Sequence, residues 1–354
     1  FSWKGFQSQS AIFNDAPEPA QTLKIAASQA WYEYQPARVI KPGAGDAFEA
    51  PAVTNTPLGE VDARGVSHEP NNITAINALK NDSNLIIGPL FSDNTKVVGP
   101  IALQKGVNVV SFSTDTSAAM GSTFLMGFVP QTQIEQILAY AGANNIKSIA
   151  VIAPRDTYGD SVTSTFYGVM QRQGLTNAGI LRYDSKAGLS PDQIKAQIGS
   201  AKAVLIATSG PEAARISNLL TTQGFPPFAM KRLGTGLWDQ ADVAKIPELQ
   251  GAWYAASSPR LHARFDQRYF ETYGTQPPRL ASLAYDATAL AVVLAKSGKG
   301  YGRDTLTNPS GFSGIDGIFR FGTDGLVERG LAILEISNGS SRIIREAPSS
   351  FAGQ

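Results

Sequence analysis

From about residue 84 onward, short apolar strands alternate with amphipathic helices, and this alternation constrains the fold more than any other feature. "NLIIGPL" reads as a strand and "SDNTKVVGPIALQKG" as a helix ending at Gly106, before the next strand, "VNVVSFST". "QTQIEQILAYAGANN" sets Ile134, Ile137, Leu138 and Ala141 on one helical face, and "IKSIAVIAP" is an apolar strand. "GDSVTSTFYGVMQRQG" is a helix carrying Val162, Phe166, Val169 and Met170. "AGILRYDS", "SPDQIKAQIGS", "AKAVLIATS", "GPEAARISNLLTTQG" and "MKRLGTG" continue the pattern. Such alternation implies parallel sheets with right-handed crossovers, an α/β fold.

Two departures say more about the topology. After "GAWYAAS" two helices follow directly, "RLHARFDQRYFETYG" and "LASLAYDATALAVVLAKSG". The stretch "GIDGIFRFGTDGLVERGLAILEIS" then reads as a β-hairpin about its Thr-Asp-Gly turn. Late helices and a late hairpin imply that the chain passes between two lobes more than once. The first seventy residues are less regular. "FSWKGFQSQS" is expected to hold the first strand, "QTLKIAASQAWYEY" and "NNITAINALKNDS" read as helices, and "VIKPGAGDAFEAPAVTNTPLGE" as an exposed loop.

Composition narrows the function. The chain has 354 residues, 43% hydrophobic and 17% charged, a globular balance long enough for two domains. A net charge of +1 supplies no field to attract nucleic acid or an acidic membrane. The absence of cysteine removes disulfides, thiolate zinc sites and cysteine nucleophiles together. No run approaches the roughly 18 apolar residues of a membrane helix. The chain starts at Phe1 with no basic-then-apolar leader, so either a signal segment has been removed or the sequence begins there.

Enzyme motifs are weak. Gly234-x-Gly236 lacks the third glycine of a dinucleotide fingerprint, and "GFSG" lacks the spacing of a nucleophile elbow. Of the two histidines, His68 lies in a polar loop, and His262 stands on a helix beside Arg260 and Arg264. Both read as surface residues, and Asp239 with Asp242 reads as an N-cap and first turn. No cofactor, metal site or catalytic residue is expected.

A binding site is better supported. Ligands of open α/β sheets sit beyond the carboxyl ends of the strands. There the chain places Ser92, then Ser111, Ser113, Thr114 and Asp115, then Arg155, Asp156 and Tyr158. Ser209-Gly210, Gly234-Thr235-Gly236 and Trp238 follow. Each Ser or Thr could simply cap its own helix, but their coincidence on one edge favours a pocket for a small polar solute or anion. A helix terminus contributes roughly 0.3–1 kcal/mol to a nearby charge, whereas micromolar binding needs about 8 kcal/mol. A second lobe must supply the rest, with Tyr158 and Trp238 as lids and Ser92 as a cap facing the cleft.

The motifs "LIIGPLFSDNT", "VNVVSFSTD", "RDTYGDSV", "GTGLWD", "PRLASLAYDATAL", "GIDGIFRF" and "GLVERGLAILEI" resemble type I periplasmic binding proteins over about residues 71–340. These are relatives of the leucine/isoleucine/valine-binding proteins, and the nearest branch is the bacterial penicillin-binding protein activators. The resemblance implies two Rossmann-like lobes with mostly parallel sheets joined by three crossover strands. Lobe one would span 1–128 plus 257–310, and lobe two 129–256 plus 311–354. Ser92 matches the serine that holds the ligand carboxylate, and Tyr158 the tyrosine that closes from the second lobe. The expected threonine aligns with Asp115, between Thr114 and Thr116, where a carboxylate would repel a ligand carboxylate. The expected acidic residue falls near Thr235 or Gly236. The resemblance implies a small-molecule ligand, with the permease of an ABC transporter or a penicillin-binding protein as partner. Solute capture is the first reading, regulation of a peptidoglycan synthase the second, and an α/β enzyme the third.

Overall fold

A computed structural model of the chain describes residues 26–27, 75–76, 79–80, 83–184 and 188–352. Four parallel strands form one sheet in the order β1-β2-β3-β4: β1 (Ala26–Ala27), β2 (Leu85–Ile87), β3 (Asn108–Ser111) and β4 (Thr123–Leu125). Helix α1 (Ser92–Gln104) links β2 to β3. Alternate side chains fill both faces: Leu85, Ile87 and Val110 enter one core, Ile86 and Val109 the other. A sheet covered on both sides explains why its strands read as unbroken apolar runs.

The second sheet has seven strands in the order β14-β13-β9-β8-β7-β5-β6. Its parallel part is β5 (Ser148–Pro154), β6 (Thr176–Tyr183), β7 (Ala203–Ile206), β8 (Lys231–Gly234) and β9 (Trp253–Ala256). Strands β13 (Ala332–Ser337) and β14 (Ser340–Arg345) add antiparallel at one edge. Helices α2 (Pro130–Ala143), α3 (Thr157–Arg172), α4 (Pro191–Ile198) and α5 (Gly210–Thr222) accompany it. Ile149, Val151 and Ala153 point into one core, Ala150 and Ile152 into the other.

The chain passes between the sheets three times. It leaves β4 for α2 through residues 126–129, and leaves β9 for α6 (Pro259–Tyr273) through Ser257 and Ser258. After α7 (Ala281–Ser297) and a three-stranded sheet, β10 (Phe312–Gly314), β11 (Gly317–Phe321) and β12 (Val327–Arg329), it returns to β13 through Gly330 and Leu331. Ala332, which opens β13, pairs with Ala256, which closes β9. All three passages therefore meet the carboxyl edges of the parallel strands, so the two sheets turn those edges toward one another.

One expectation changes. "QTLKIAASQAWYEY" contains strand β1, not an uninterrupted helix, because the open edge of β2 offers Ala26 and Ala27 a parallel partner that local propensity does not register. The strand expected within residues 1–10 lies outside the described residues, as do His68 and the loop at 39–60. Beyond residue 311 the chain first packs on the four-stranded sheet. Phe319, Phe321 and Val327 enter the core of the four-stranded sheet. The amide of Leu125 donates to the Gly325 carbonyl at 2.8 Å. The expected hairpin forms between β11 and β12 and packs on the core of the four-stranded sheet, whereas Leu331 and Ile333 enter a core of the seven-stranded one.

Candidate functional site

On the first lobe, the strand–Gly-Pro–Ser junction after β2 leads straight into α1. Its N-cap is Phe91, not Ser92, and no side chain among the described residues caps it. Ser92 is thus the first helical residue and is half-buried. The Ser111 hydroxyl donates to the Pro89 carbonyl at 2.8 Å and lies 2.8 Å from Thr95 Oγ1, tying α1 to the end of β3. Ser113 is buried, and its Oγ accepts from the Asp115 amide at 3.1 Å. Thr114, between them, is exposed.

Asp115 is not the free repulsive charge expected from sequence. Lys96 Nζ lies 2.8 Å from its Oδ2, and its Oδ1 accepts from the amide and hydroxyl of Ser117. Burial opposes ionisation, but these bonds outweigh it and hold the carboxyl below its ordinary value. Lys96 lies one helical turn beyond Ser92, and nothing in the local pattern marks it as a partner nineteen positions from Asp115.

On the second lobe, the hydroxyls of Tyr158 and Thr235 are 3.2 Å apart, joining the ends of β5 and β8. Burial pushes the Tyr158 phenol up to about 12, so it stays protonated and available as a donor. Asp156 caps α3 through the Gly159 amide at 2.8 Å. Gly159 is needed there because a Cβ would lie 1.9 Å from the Pro154 carbonyl oxygen. Gln133 Oε1 accepts from the Gly236 amide at 2.7 Å, while its Nε2 donates to the Phe128 and Val129 carbonyls. One amide side chain thereby fixes the Thr235–Gly236 turn to the first passage between the lobes. Arg155 remains exposed.

Trp238 is not a lid. It is fully buried in the second-lobe core, with Nε1 donating to the Thr208 carbonyl at 3.0 Å. Its ring lies so close over Gly234 that a Cβ there would stand 2.2 Å away. His262 is likewise not a surface residue: its side chain is 15% exposed, and its Nε2 lies 2.7 Å from Asp316 Oδ1. Asp239 caps no helix through its side chain and approaches Arg279 instead. Arg279, Asp316 and Asp286 were missed because their partners are distant in sequence. Among the described residues no group of His, Cys, Asp and Glu could hold a metal ion, and no helix is long and apolar enough to cross a membrane.

The buried acids set a pH dependence. Burial pushes Asp286 up to about 6 from 3.8, although the Ile315 amide donates to it at 2.7 Å. The fold thus binds a proton that the unfolded chain releases, and stability is expected to rise as pH falls from about 7 to 4, by roughly 3 kcal/mol. His262 acts in the same direction: burial opposes its charge, but Asp316 raises it overall. Asp316 sets the acid limit. Despite complete burial, His262 and the nearby arginines hold it well below its ordinary value, so its contribution is lost once pH falls below about 4. Urea midpoints measured from pH 3 to 8 should peak in the mildly acid range, and Asp286→Asn should flatten the limb between 4 and 7.

The family model for periplasmic binding proteins matches residues 69–341. The chain belongs to this family. As in other periplasmic binding proteins of type I, two α/β lobes face each other across three passages of chain. The protein is similar in structure to the leucine-binding protein LivK of Thermotoga maritima, with 21% identity, TM-score 0.58, and coverage of 77% of this chain and 82% of that one. A solute-binding protein of an ABC transporter from Rhodopseudomonas palustris, in complex with 3,4-dihydroxybenzoic acid, shares 16% identity at TM-score 0.58, covering 78% and 82%. LpoA of Haemophilus influenzae shares 17% identity at TM-score 0.59, and the match covers 78% of this periplasmic binding protein but 51% of LpoA. At these identities the likeness is one of fold. No curated protein sequence matches the chain.

Proposed function

We propose that this protein captures a small polar or amino-acid-like solute between its lobes in the periplasm and delivers it to the permease of an ABC transporter. The observation that carries this reading is the facing of the two carboxyl edges, one bearing Ser92 and the uncapped start of α1, the other the Tyr158–Thr235 hydroxyl pair. Lobe one is read as residues 83–128 with 257–329, and lobe two as 129–256 with 331–345. Ser92, Thr114, Tyr158 and Thr235 are the contacts expected to orient the solute, with Ser113 and Asp115 shaping the loop beneath it. Lys96 neutralises Asp115, which removes the objection to a carboxylate ligand. The solute-binding neighbours support the same use of the fold.

A ligand that binds only the native state stabilises it by mass action. Thermal melts with each standard amino acid, and with aromatic acids including 3,4-dihydroxybenzoic acid, should show a saturable rise for one class. Tyr158→Phe should then raise Kd about tenfold, the worth of one hydrogen bond of roughly 1.4 kcal/mol. A flat response across both series, together with an empty cleft in native mass spectrometry, would sink the transport reading.

The likeness to LpoA, together with the sequence motifs of penicillin-binding protein activators, favours a second reading: regulation of a peptidoglycan synthase through contacts on the lobe surfaces. In that case a purified penicillin-binding protein retains the chain, and Ser92→Ala with Tyr158→Phe leaves retention unchanged.

A further inference from the structure

Arg279 stands just before α7 and makes more contacts between separate parts of the fold than any argument about solute capture requires. Its Nη1 donates to Asp316 Oδ1 at 3.0 Å, and Asp316 is fully buried in the turn between β10 and β11. His262, from α6, holds the same carboxylate oxygen at 2.7 Å. The guanidinium lies 4.1 Å from the centre of the Phe128 ring, in the first passage between the lobes. Its other terminal nitrogen, Nη2, lies 3.7 Å from Asp239 Oδ2. Asp239 follows Trp238 at the end of β8, on the opposite lobe.

We propose that Arg279 is an interlobe latch, a positioning residue whose bond to Asp239 sets the resting separation of the two lobes. The anchoring side is rigid. Asp316 and His262 fix one edge of the guanidinium, and Phe128 fixes its plane, so the fork needs no further ordering before it reaches across. The reaching side is partly open to solvent, with the side chains of Arg279 and Asp239 35% and 23% exposed. Such a pair is weak enough to break on opening and strong enough to bias a population. Arg260 and Glu346 also meet near the second passage at 3.1 Å, but both are largely exposed and add little. The latch would raise the apparent affinity for any solute that needs the closed form, because that form is already populated. The inference rests on the two-lobe reading above but on no solute, so it stands or falls separately from solute capture.

The cysteine-free chain allows a direct test. Cysteines introduced at the exposed positions Lys105, on lobe one, and Gln171, on lobe two, can carry spin labels for distance measurement in the ligand-free protein. Arg279→Gln and Asp239→Asn should each shift the interlobe distance distribution toward longer values by several ångströms. The double variant should match the single ones, because both substitutions break the same bond. Salt near 1 M should move the parent protein part of the way and leave the double variant unchanged. Should Arg279→Gln lower folding yield by stranding Asp316, Asp239→Asn carries the test, since it leaves the anchoring side intact. A distribution for folded Asp239→Asn that superimposes on the parent, at low and high salt alike, overturns the proposal.

Discussion

Trp238→Ala is expected to destabilise the second lobe by about 3–5 kcal/mol, the usual cost of emptying a large aromatic site in a core. The indole is fully buried, packs near Tyr254 with ring centres 6.5 Å apart, and donates to the Thr208 carbonyl. Removing it leaves a cavity and strands an acceptor, two penalties that add. The result separates two roles for the residue. A lid contributes to binding and leaves the free protein's stability unchanged. A core residue does the reverse in the first instance, and any loss of binding follows from the loosened Thr235–Gly236 turn. Urea unfolding of the ligand-free variant decides between them, and a midpoint equal to the parent's would restore the lid.

Arg329→Met is expected to cost about 3–5 kcal/mol at neutral pH, the range for removing one partner from a buried charge group. Arg329 is 3% exposed at the end of β12 and donates from Nη2 to the Met126 carbonyl at 2.7 Å, joining the third passage to the first. Its plane sits between the rings of Phe128 and Phe319, at 5.2 and 5.5 Å, while Nε and Nη1 have no hydrogen-bond partner. Burial lowers its pKa, and the charges of Asp316 and Asp286 oppose that shift. Without Arg329, Asp286 ionises with still more difficulty, and protonating it relieves part of the penalty. The loss should therefore be smaller at pH 5 than at pH 7, a sign opposite to acid denaturation. Chemical denaturation at the two pH values checks it, and equal losses would mean that Asp286 does not sense the guanidinium.

The α/β architecture was legible wherever a strand is buried on both faces, because such strands are apolar throughout. "IKSIAVIAP" and "AKAVLIATS" leave no other reading. Strand β4, three residues long in "STFLM", carried too little signal, and β1 was hidden by alanines that suit a helix equally well. At the candidate site, the hydroxyls at the strand ends were visible as residue types, but their engagements were not. Ser92 reads as a cap, yet Phe91 occupies that position. Asp115 reads as a free charge because its partner, Lys96, lies on a different element. Trp238 reads as a lid because the three residues between it and β8 turn it inward, and a turn of that kind has no periodicity to read. The ion group of His262, Arg279, Asp286 and Asp316 spans more than fifty positions, and only the fold brings it together.

The threefold passage of chain has a consequence for the order in which the protein is made. The core of the four-stranded sheet needs Phe319, Phe321 and Val327, and the seven-stranded sheet needs β13 beside β9. A nascent chain that has emerged only as far as residue 310 therefore holds two unfinished cores, one exposing the apolar face of α7 and the other an unpaired edge at β9. Neither lobe can complete folding before about residue 337 is available. Synthesis and final folding of this protein are separated in time, and the last tenth of the chain decides both halves at once.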